Sequence, residues 1–447
     1  MLFAMDKTKL IAVAACVALA IFPGCKKNDP SDSGGKETKP AKEMFDSDYF
    51  ETFVDPVTGV VSYLFRSDIF STSTKYNTQS AYFSSKDMTD DERFCYFFIS
   101  TKEQNGQMST ERSARVFDFK ERKLYTFAGN SGCYPYLDPK KDILYFYVMG
   151  SKTNSGKVRD NGQFFKKDLL NAPRKTEELA KIPKAVAPSG CYMSRACSHI
   201  TLTQDKRKVL LDAWVNNTFI QGLLNLYTGE WEEWSRNNTT HLTHGQMNPK
   251  RSDEALFAID VWEDSYGESH KIVYDNDGAY GGQGTYPRMQ LMKPDGTRTT
   301  IKPSPDNNYA THEGWLEDGD HVYWCASGVH IRNIRTGEYE HVYDQRATHS
   351  SLSTDLKYVT FDNDHPDYYR GGRWKVSFLN RKTGKTVDII TQRPAITTKD
   401  KPSQLHPDPH PHFVCNNKYI VCTSSDDEGY LRWCITPVDQ LIRMTSK

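Results

Sequence analysis

The chain has 447 residues, with 57 Lys plus Arg against 57 Asp plus Glu, so no net charge draws it to nucleic acid or to an acidic membrane face. The length exceeds what one ordinary compact domain needs, which leaves two or three domains or one large repetitive one. Aromatic residues make up 12%, with 25 Tyr and 8 Trp, which suits β-rich folds and also surfaces that stack on sugar rings.

At the start of the chain, Lys7 and Lys9 precede an apolar run from Leu10 to Phe22 that is too short for a comfortable membrane span. It reads as a targeting segment. Cleavage before Cys25, in Ile21-Phe22-Pro23-Gly24-Cys25, resembles processing of a lipoprotein, because a small residue precedes the cysteine that receives the lipid. Phe22 and Pro23 depart from the usual pattern, and a plain secretory signal with an incidental cysteine is the alternative. Residues 26–43 are Lys, Asp, Ser, Gly and Pro with almost nothing apolar, a composition that cannot repay the entropy of ordering. The expected layout is a signal over 1–24, a tether over 25–43 and one folded unit over 44–447. The protein is expected to be exported and held by a lipid on Cys25 at the bacterial outer membrane, on its periplasmic or its surface face.

Eight cysteines lie beyond the signal: Cys95, Cys133, Cys191, Cys197, Cys325, Cys415, Cys422 and Cys434. No C-x-x-C spacing occurs among them, which argues against a structural zinc site. Cys191 and Cys197 are close enough in sequence for a local disulfide, but buried thiols inside strands are the favoured state for most.

From there on one pattern recurs, a polar turn followed by a strongly apolar β-branched or aromatic run. The copies span 90–98, 138–146, 204–211, 251–257, 318–324, 355–361 and 416–422, seven in all. Several are followed by a second hairpin that turns through Thr228-Gly229, Asp295-Gly296, Thr336-Gly337 or Thr383-Gly384, where glycine supplies the positive φ of a tight turn. Two hairpins per repeat make four short antiparallel strands, so the spacing predicts an all-β, seven-bladed β-propeller. The chain is generous for that count, and long inter-strand loops are expected at Lys152–Pro188 and Glu263–Pro287.

Aligned on the apolar residue that closes the first strand (Phe83, Tyr136, Leu202, Met247, Trp315, Leu352, Phe413), the repeats share a position three residues earlier. It holds Ser80, Cys133, His199, His244, His312, His349 and His410, so five of the chain's 13 histidines fall in one register. First strands line the channel of a propeller, so these imidazoles are expected to form a ring at one mouth. A single such histidine reads as a satisfied wall residue; five together invite a divalent metal and leave imidazoles that exchange protons near neutral pH. His406-Pro407-Asp408-Pro409-His410-Pro411-His412 adds His and Asp at alternate positions of a proline-stiffened segment, and such mixed ligation suits Mn²⁺, Zn²⁺ or a similar ion.

Three stretches, Tyr309-Ala310-Thr311-His312-Glu313-Gly314-Trp315, Pro287–Thr297 and Asp408-Pro409-His410-Pro411-His412-Phe413, are similar to those of the oligogalacturonate lyases. These are seven-bladed propellers that cleave short pectin-derived uronate chains by metal-assisted β-elimination. The resemblance is clearest across the last four repeats. It implies that His312 binds metal, that His244 in Thr243-His244-Gly245-Gln246 is the general base, and that Arg288 is the motif arginine that grips a carboxylate. The family's His-Pro-His pair, preceded by a glutamine, falls here on Asp408-Pro409-His410 preceded by Gln404, so Asp408 stands where a histidine is usual and His406 and His412 are additional. The implied metal set is His312, Asp408, His410, Gln404 and His406, holding Mn²⁺ foremost, with Zn²⁺ and Ca²⁺ as alternatives. His199, His349 and Tyr134 are expected on the substrate side, and the departing oxygen takes its proton from one of these three or from water. The substrate implied is an acidic oligosaccharide. Two other readings stay open: a propeller lyase acting on ulvan or a rhamnose-capped glucuronate, and a non-catalytic glycan-binding propeller. A serine hydrolase is not supported, since no G-x-S-x-G occurs.

Overall fold

The seven apolar runs become the second strands of seven small antiparallel sheets: Phe94–Thr101, Ile143–Val148, Lys208–Val215, Ala255–Glu263, His321–Cys325, Tyr358–Asn363 and Tyr419–Ser425. The computed structural model describes residues 44–66, 68–70, 76–101, 113–126, 135–159, 161–171, 175–238, 240–263, 269–271, 288–303, 310–326, 328–363, 374–391, 408–428 and 430–447. The targeting segment, Cys25 and the tether lie outside these residues.

Why the second strands read as continuous apolar runs follows from where their side chains go. Successive residues of a strand point to opposite faces, and here both faces are covered by a neighbouring blade. Leu210 packs with Leu242 and Phe257 of the following blade, while Val209 and Leu211 pack with Tyr145 and Tyr147 of the preceding one. Apolar clusters of this kind join every successive pair of blades, and the circle is complete: Trp433 and Ile435 of the last blade share a cluster with Cys95, Phe97 and Phe117 of the first. The sheets therefore form a closed seven-bladed β-propeller.

The first six blades take their strands from consecutive chain, and the seventh is built from both ends. His412–Val414, Tyr419–Ser425 and Leu431–Pro437 form its inner part, and Val61–Phe65 and Phe50–Val54 complete it from the N-terminal side. Tyr63 lies opposite Ile435 and Leu64 opposite Cys434, and the Ser62 and Thr436 hydroxyls meet at 2.8 Å. A C-terminal helix, Val438–Thr445, packs Val438 and Leu441 into the cluster between blades six and seven. Among the described residues no helix is long and apolar enough to cross a membrane.

The four expected hairpin glycines, Gly229, Gly296, Gly337 and Gly384, have φ between 69° and 80°. Lys152–Pro188 is not the single long loop expected, because it contains Gln163–Asp168 and Glu177–Lys181, the third and fourth strands of blade two. Those strands are outer and rich in charge, so the apolar template passes over them. Of Glu263–Pro287, the described residues include Ser269–Lys271, which pairs with Ala255–Glu263. Cys95, Cys191, Cys197, Cys325, Cys415, Cys422 and Cys434 are buried thiols, and Cys191 and Cys197 are not bonded to each other.

Candidate active site

Three of the ring histidines sit on left-handed backbone: His244 at φ 53°, His312 at 52° and His410 at 48°. In blades four and five the pairing register slips at these residues, between Thr243 and Gln246 and between Thr311 and Gly314. A bulge re-aims the side chain it carries, and His is among the few non-glycine residues that tolerate this conformation. Strain of this kind concentrates at functional sites. At His410 and beside His244 a carboxylate from the preceding blade holds the conformation in place, while also bonding backbone of its own blade. Asp362 accepts from the backbone N–H of His349 at 2.8 Å and from that of His410 at 3.2 Å. Asp212 accepts from the N–H of Ser198 at 2.6 Å and of Gly245 at 3.2 Å, and the Ser198 hydroxyl takes the His244 N–H at 3.0 Å.

The five imidazoles converge. Ring centroids are 4.0 Å apart for His312 and His349, 4.3 Å for His349 and His410, and 5.7 Å for His199 and His244. The space they enclose is filled by two aromatic residues of blade one. Tyr82 stacks on His199 at 4.6 Å and meets His410 edge-on at 4.7 Å, while Phe83 lies 5.6 Å from His349 and 5.9 Å from His312.

This arrangement corrects the alignment of the first two repeats. Gln79 pairs with Phe98, but the next pairing on that strand is Met88 with Cys95, so residues 80–87 leave the strand and carry Tyr82 and Phe83 into the channel. Phe83 is a channel residue and Met88 closes the strand, which removes Ser80 from the ring register. Buried Asp87 roots the excursion on blade seven, accepting from the Ala81 N–H and the Trp433 Nε1–H, both at 3.2 Å, with His412 Nε2 at 3.1 Å. In blade two, Leu137 pairs with Leu144, so the closing residue is Leu137 and not Tyr136. Cys133 and Tyr134 lie outside the described residues, as do Gln404 and His406.

On one side of the ring, ligand atoms of His349, Asp408 and His410, all buried, lie within 4.8 Å of one another. His349 Nδ1 is 2.9 Å from Asp362 Oδ2, which turns Nε2 away from that carboxylate and fixes the ring. Burial pushes the Asp362 carboxyl up although His349 pulls it down, and Asp408 adds to the rise. His312 is not one of the three closest groups but touches His349. Burial, together with the charges of His349, Arg288 and His244, holds its imidazole well below the ordinary histidine range, so it stays neutral. His412 belongs elsewhere, with Nδ1 2.9 Å from the His410 carbonyl oxygen and Nε2 on Asp87.

On the other side, Arg288 donates from Nε to Glu313 Oε2 at 2.7 Å, and His244 Nδ1 lies 3.6 Å from Glu313 Oε1. Burial alone would raise the Glu313 carboxyl, but Arg288 and His244 outweigh it and hold the group below its ordinary value, ionised.

No protein-family model matches the chain, and no curated protein matches it. Solved structures do. An oligogalacturonate lyase from Vibrio parahaemolyticus aligns with a TM-score of 0.61 at 18% identity, over 87% of this chain and 96% of its own. An oligogalacturonate lyase in complex with manganese aligns with a TM-score of 0.60 at 17% identity, over 89% and 97%. The chain has the fold of these oligogalacturonate lyases. At such identity the likeness carries the fold, and the chemistry rests on the residues themselves.

Sequence reasoning brought the five histidines and Arg288 forward and missed Tyr82, Asp87, Asp212, Glu313 and Asp362. A signal existed for two of them. Asp212 follows Val209-Leu210-Leu211 and Asp362 follows Val359-Thr360-Phe361, each a carboxylate interrupting a mainly apolar strand at the same place in the repeat, and a buried carboxylate there needs a partner.

Proposed function

We propose that the protein is a lyase that cleaves uronate-containing oligosaccharides of the oligogalacturonate type by β-elimination. The observation that carries this reading is that one ring holds, on one side, a His/His/Asp group at cation spacing and, on the other, an imidazole and a guanidinium sharing one buried carboxylate.

Two imidazoles and a carboxylate fit a divalent ion of mixed nitrogen and oxygen preference, Mn²⁺ or Zn²⁺ more than the all-oxygen Ca²⁺. His349, Asp408 and His410 would hold it, with His312 beside them. Bound there, such an ion supplies positive charge that offsets the uronate carboxylate. Arg288 grips the same carboxylate through its planar fork, which lowers the cost of negative charge developing next to it. His244, in its neutral form, removes the C5 proton. The C4–O4 bond then breaks, the electron pair of the former C5–H bond forms the C4–C5 double bond, and O4 leaves with a proton. His349, with one nitrogen for the metal and the other on Asp362, has no proton to give, so the donor to O4 is His199, Tyr134, water or Tyr82, which packs between His199 and His410.

Asp408, standing where the lyases usually carry histidine, favours a second reading, the same elimination on ulvan or a rhamnose-capped glucuronate. Export and a lipid on Cys25 would place the activity at the outer membrane.

The test is absorbance in the band of a conjugated unsaturated uronate, over oligogalacturonate, ulvan and glucuronate-bearing oligosaccharides, since only elimination creates that chromophore. His244→Ala should lose at least about 10²-fold in turnover with metal content unchanged. No chromophore from any of them would reject the lyase reading in favour of a glycan-binding propeller.

A further inference from the structure

We propose that Glu313 is the positioning residue of this site: its single buried carboxylate sets which nitrogen of His244 carries the proton and, at the same time, how Arg288 is presented. The consequence for catalysis rests on the lyase reading, whereas the geometry does not.

Glu313 lies inside the bulge of the first strand of blade five, and its side chain is 0% exposed; that of Arg288 is 3% exposed. The two carboxylate oxygens are not equivalent. Oε2 takes the Arg288 Nε–H at 2.7 Å, while Oε1 is buried and has no hydrogen bond among the described residues. A buried carboxylate oxygen left without a donor is costly, and native proteins rarely tolerate one. The group facing Oε1 is His244 Nδ1, at 3.6 Å. That is longer than a formed hydrogen bond, but such bonds at catalytic sites are commonly long until substrate is in place. A proton on Nδ1 satisfies Oε1; a lone pair on Nδ1 would face a carboxylate and repel it. The proton therefore belongs on Nδ1, and the basic lone pair belongs on Nε2.

The frame around the pair keeps this spacing from drifting. Gln246 donates from Nε2 to the Glu313 carbonyl oxygen at 2.9 Å, and Trp315 donates from Nε1 to the Gln246 carbonyl oxygen at 3.1 Å, which ties blades four and five together on both sides of the carboxylate. The His244 main chain is pinned independently through Ser198. Glu313 then acts on both partners at once, because a guanidinium held through Nε turns its other edge away from the carboxylate. The logic is that of a buried acid orienting a histidine base.

Glu313→Gln separates this role from a purely structural ion pair. An amide that keeps its oxygen on the Arg288 Nε–H turns its NH₂ towards His244 Nδ1, which must then accept, so the proton moves to Nε2 and the base is lost. The measurement is ¹⁵N NMR of histidine-labelled full-length protein without paramagnetic metal, with His244→Ala identifying the resonances. The wild type should show His244 with Nδ1 protonated and Nε2 bare. Glu313→Gln should shift the population to the Nε2–H form and lower kcat by about 10²-fold, with the loss in kcat exceeding the rise in KM. Glu313→Asp, still a carboxylate, should recover part of both. Wild-type His244 carrying its proton on Nε2 would overturn the proposal, and so would a folded Glu313→Gln protein with unchanged tautomer and kcat. Should Glu313→Gln not fold, the wild-type tautomer alone decides. Absence of any unsaturated product would reject the lyase reading, and the tautomer would still uphold or overturn the placement of Glu313.

Discussion

His349 carries the sharpest consequence at the scale of single residues, because Asp362 bonds its Nδ1 and leaves Nε2 as the atom that can reach Asp408 and His410. A carboxylate behind a metal-binding imidazole fixes the tautomer and raises ligand basicity, and its loss typically costs about 10–100-fold in affinity. Asp362→Asn is therefore expected to weaken binding of Mn²⁺ or Zn²⁺ by that factor, measured by calorimetry, while His349→Ala should abolish stoichiometric binding. Unchanged affinity in both would remove His349 from the metal group and return the weight to His312. The histidines were legible in the sequence because they share one position of a repeat. Glu313 and Asp362 were not, because each gains its meaning from a residue on another blade, and one chain read alone has no measure of distance between blades.

Elements differed in how plainly the sequence announced them. Second strands stood out because both faces are buried, which forces an unbroken apolar run. Glu177–Lys181 carries the charge of a solvated edge, and Gln163–Asp168 beside it offers only Phe164-Phe165 among polar and charged residues, too short an apolar pattern to separate it from a loop. The excursion at 80–87 was hidden for a different reason. Ser80-Ala81-Tyr82-Phe83 looks like the end of a first strand, and only the jump in pairing from Gln79 with Phe98 to Met88 with Cys95 exposes it. A related tight spot is Gly222, in the third strand of blade three (Thr218–Asn225), where the register slips against Trp231–Asn237. A Cβ there would press into the Glu232 carbonyl oxygen and come within 2.7 Å of the Trp231 ring. The carbonyl belongs to the backbone of a paired strand and cannot swing aside. Gly222→Ala should cost about 1–3 kcal/mol through overpacking, visible as a lower midpoint in urea. An unchanged midpoint would mean that the outer strand of this blade yields more readily than its pairing implies.

At the scale of the whole molecule, the repeat count was readable while the manner of closure was not. Seven equivalent runs say nothing about which strands join the ends, because Phe50–Val54 and Val61–Phe65 precede the first repeat and carry no copy of it. Their role is nonetheless large, since Phe50, Leu64 and Phe65, with Val60 in the turn that joins the two strands, are all at most 3% exposed. Burying a large apolar side chain contributes roughly 1.5–3 kcal/mol, so these four supply about as much as the 5–15 kcal/mol by which a typical domain is stable. Removing them would also uncover the edge of Leu431–Pro437, a long apolar strand of the kind that templates aggregation. Two truncations therefore separate the tether from the closing strands. A protein starting at Met44 should keep the thermal midpoint and metal affinity of the longer chain, because the packed unit begins there. One starting at Asp68 should be insoluble or lack a cooperative transition, with the ring lost as well, since His410 leads directly into the first strand of the blade that these strands complete. If the shorter protein melted cooperatively near the same temperature and still bound metal, the ring would be closed by contacts between blades six, seven and one alone, and the N-terminal strands would be a cover and not a clasp.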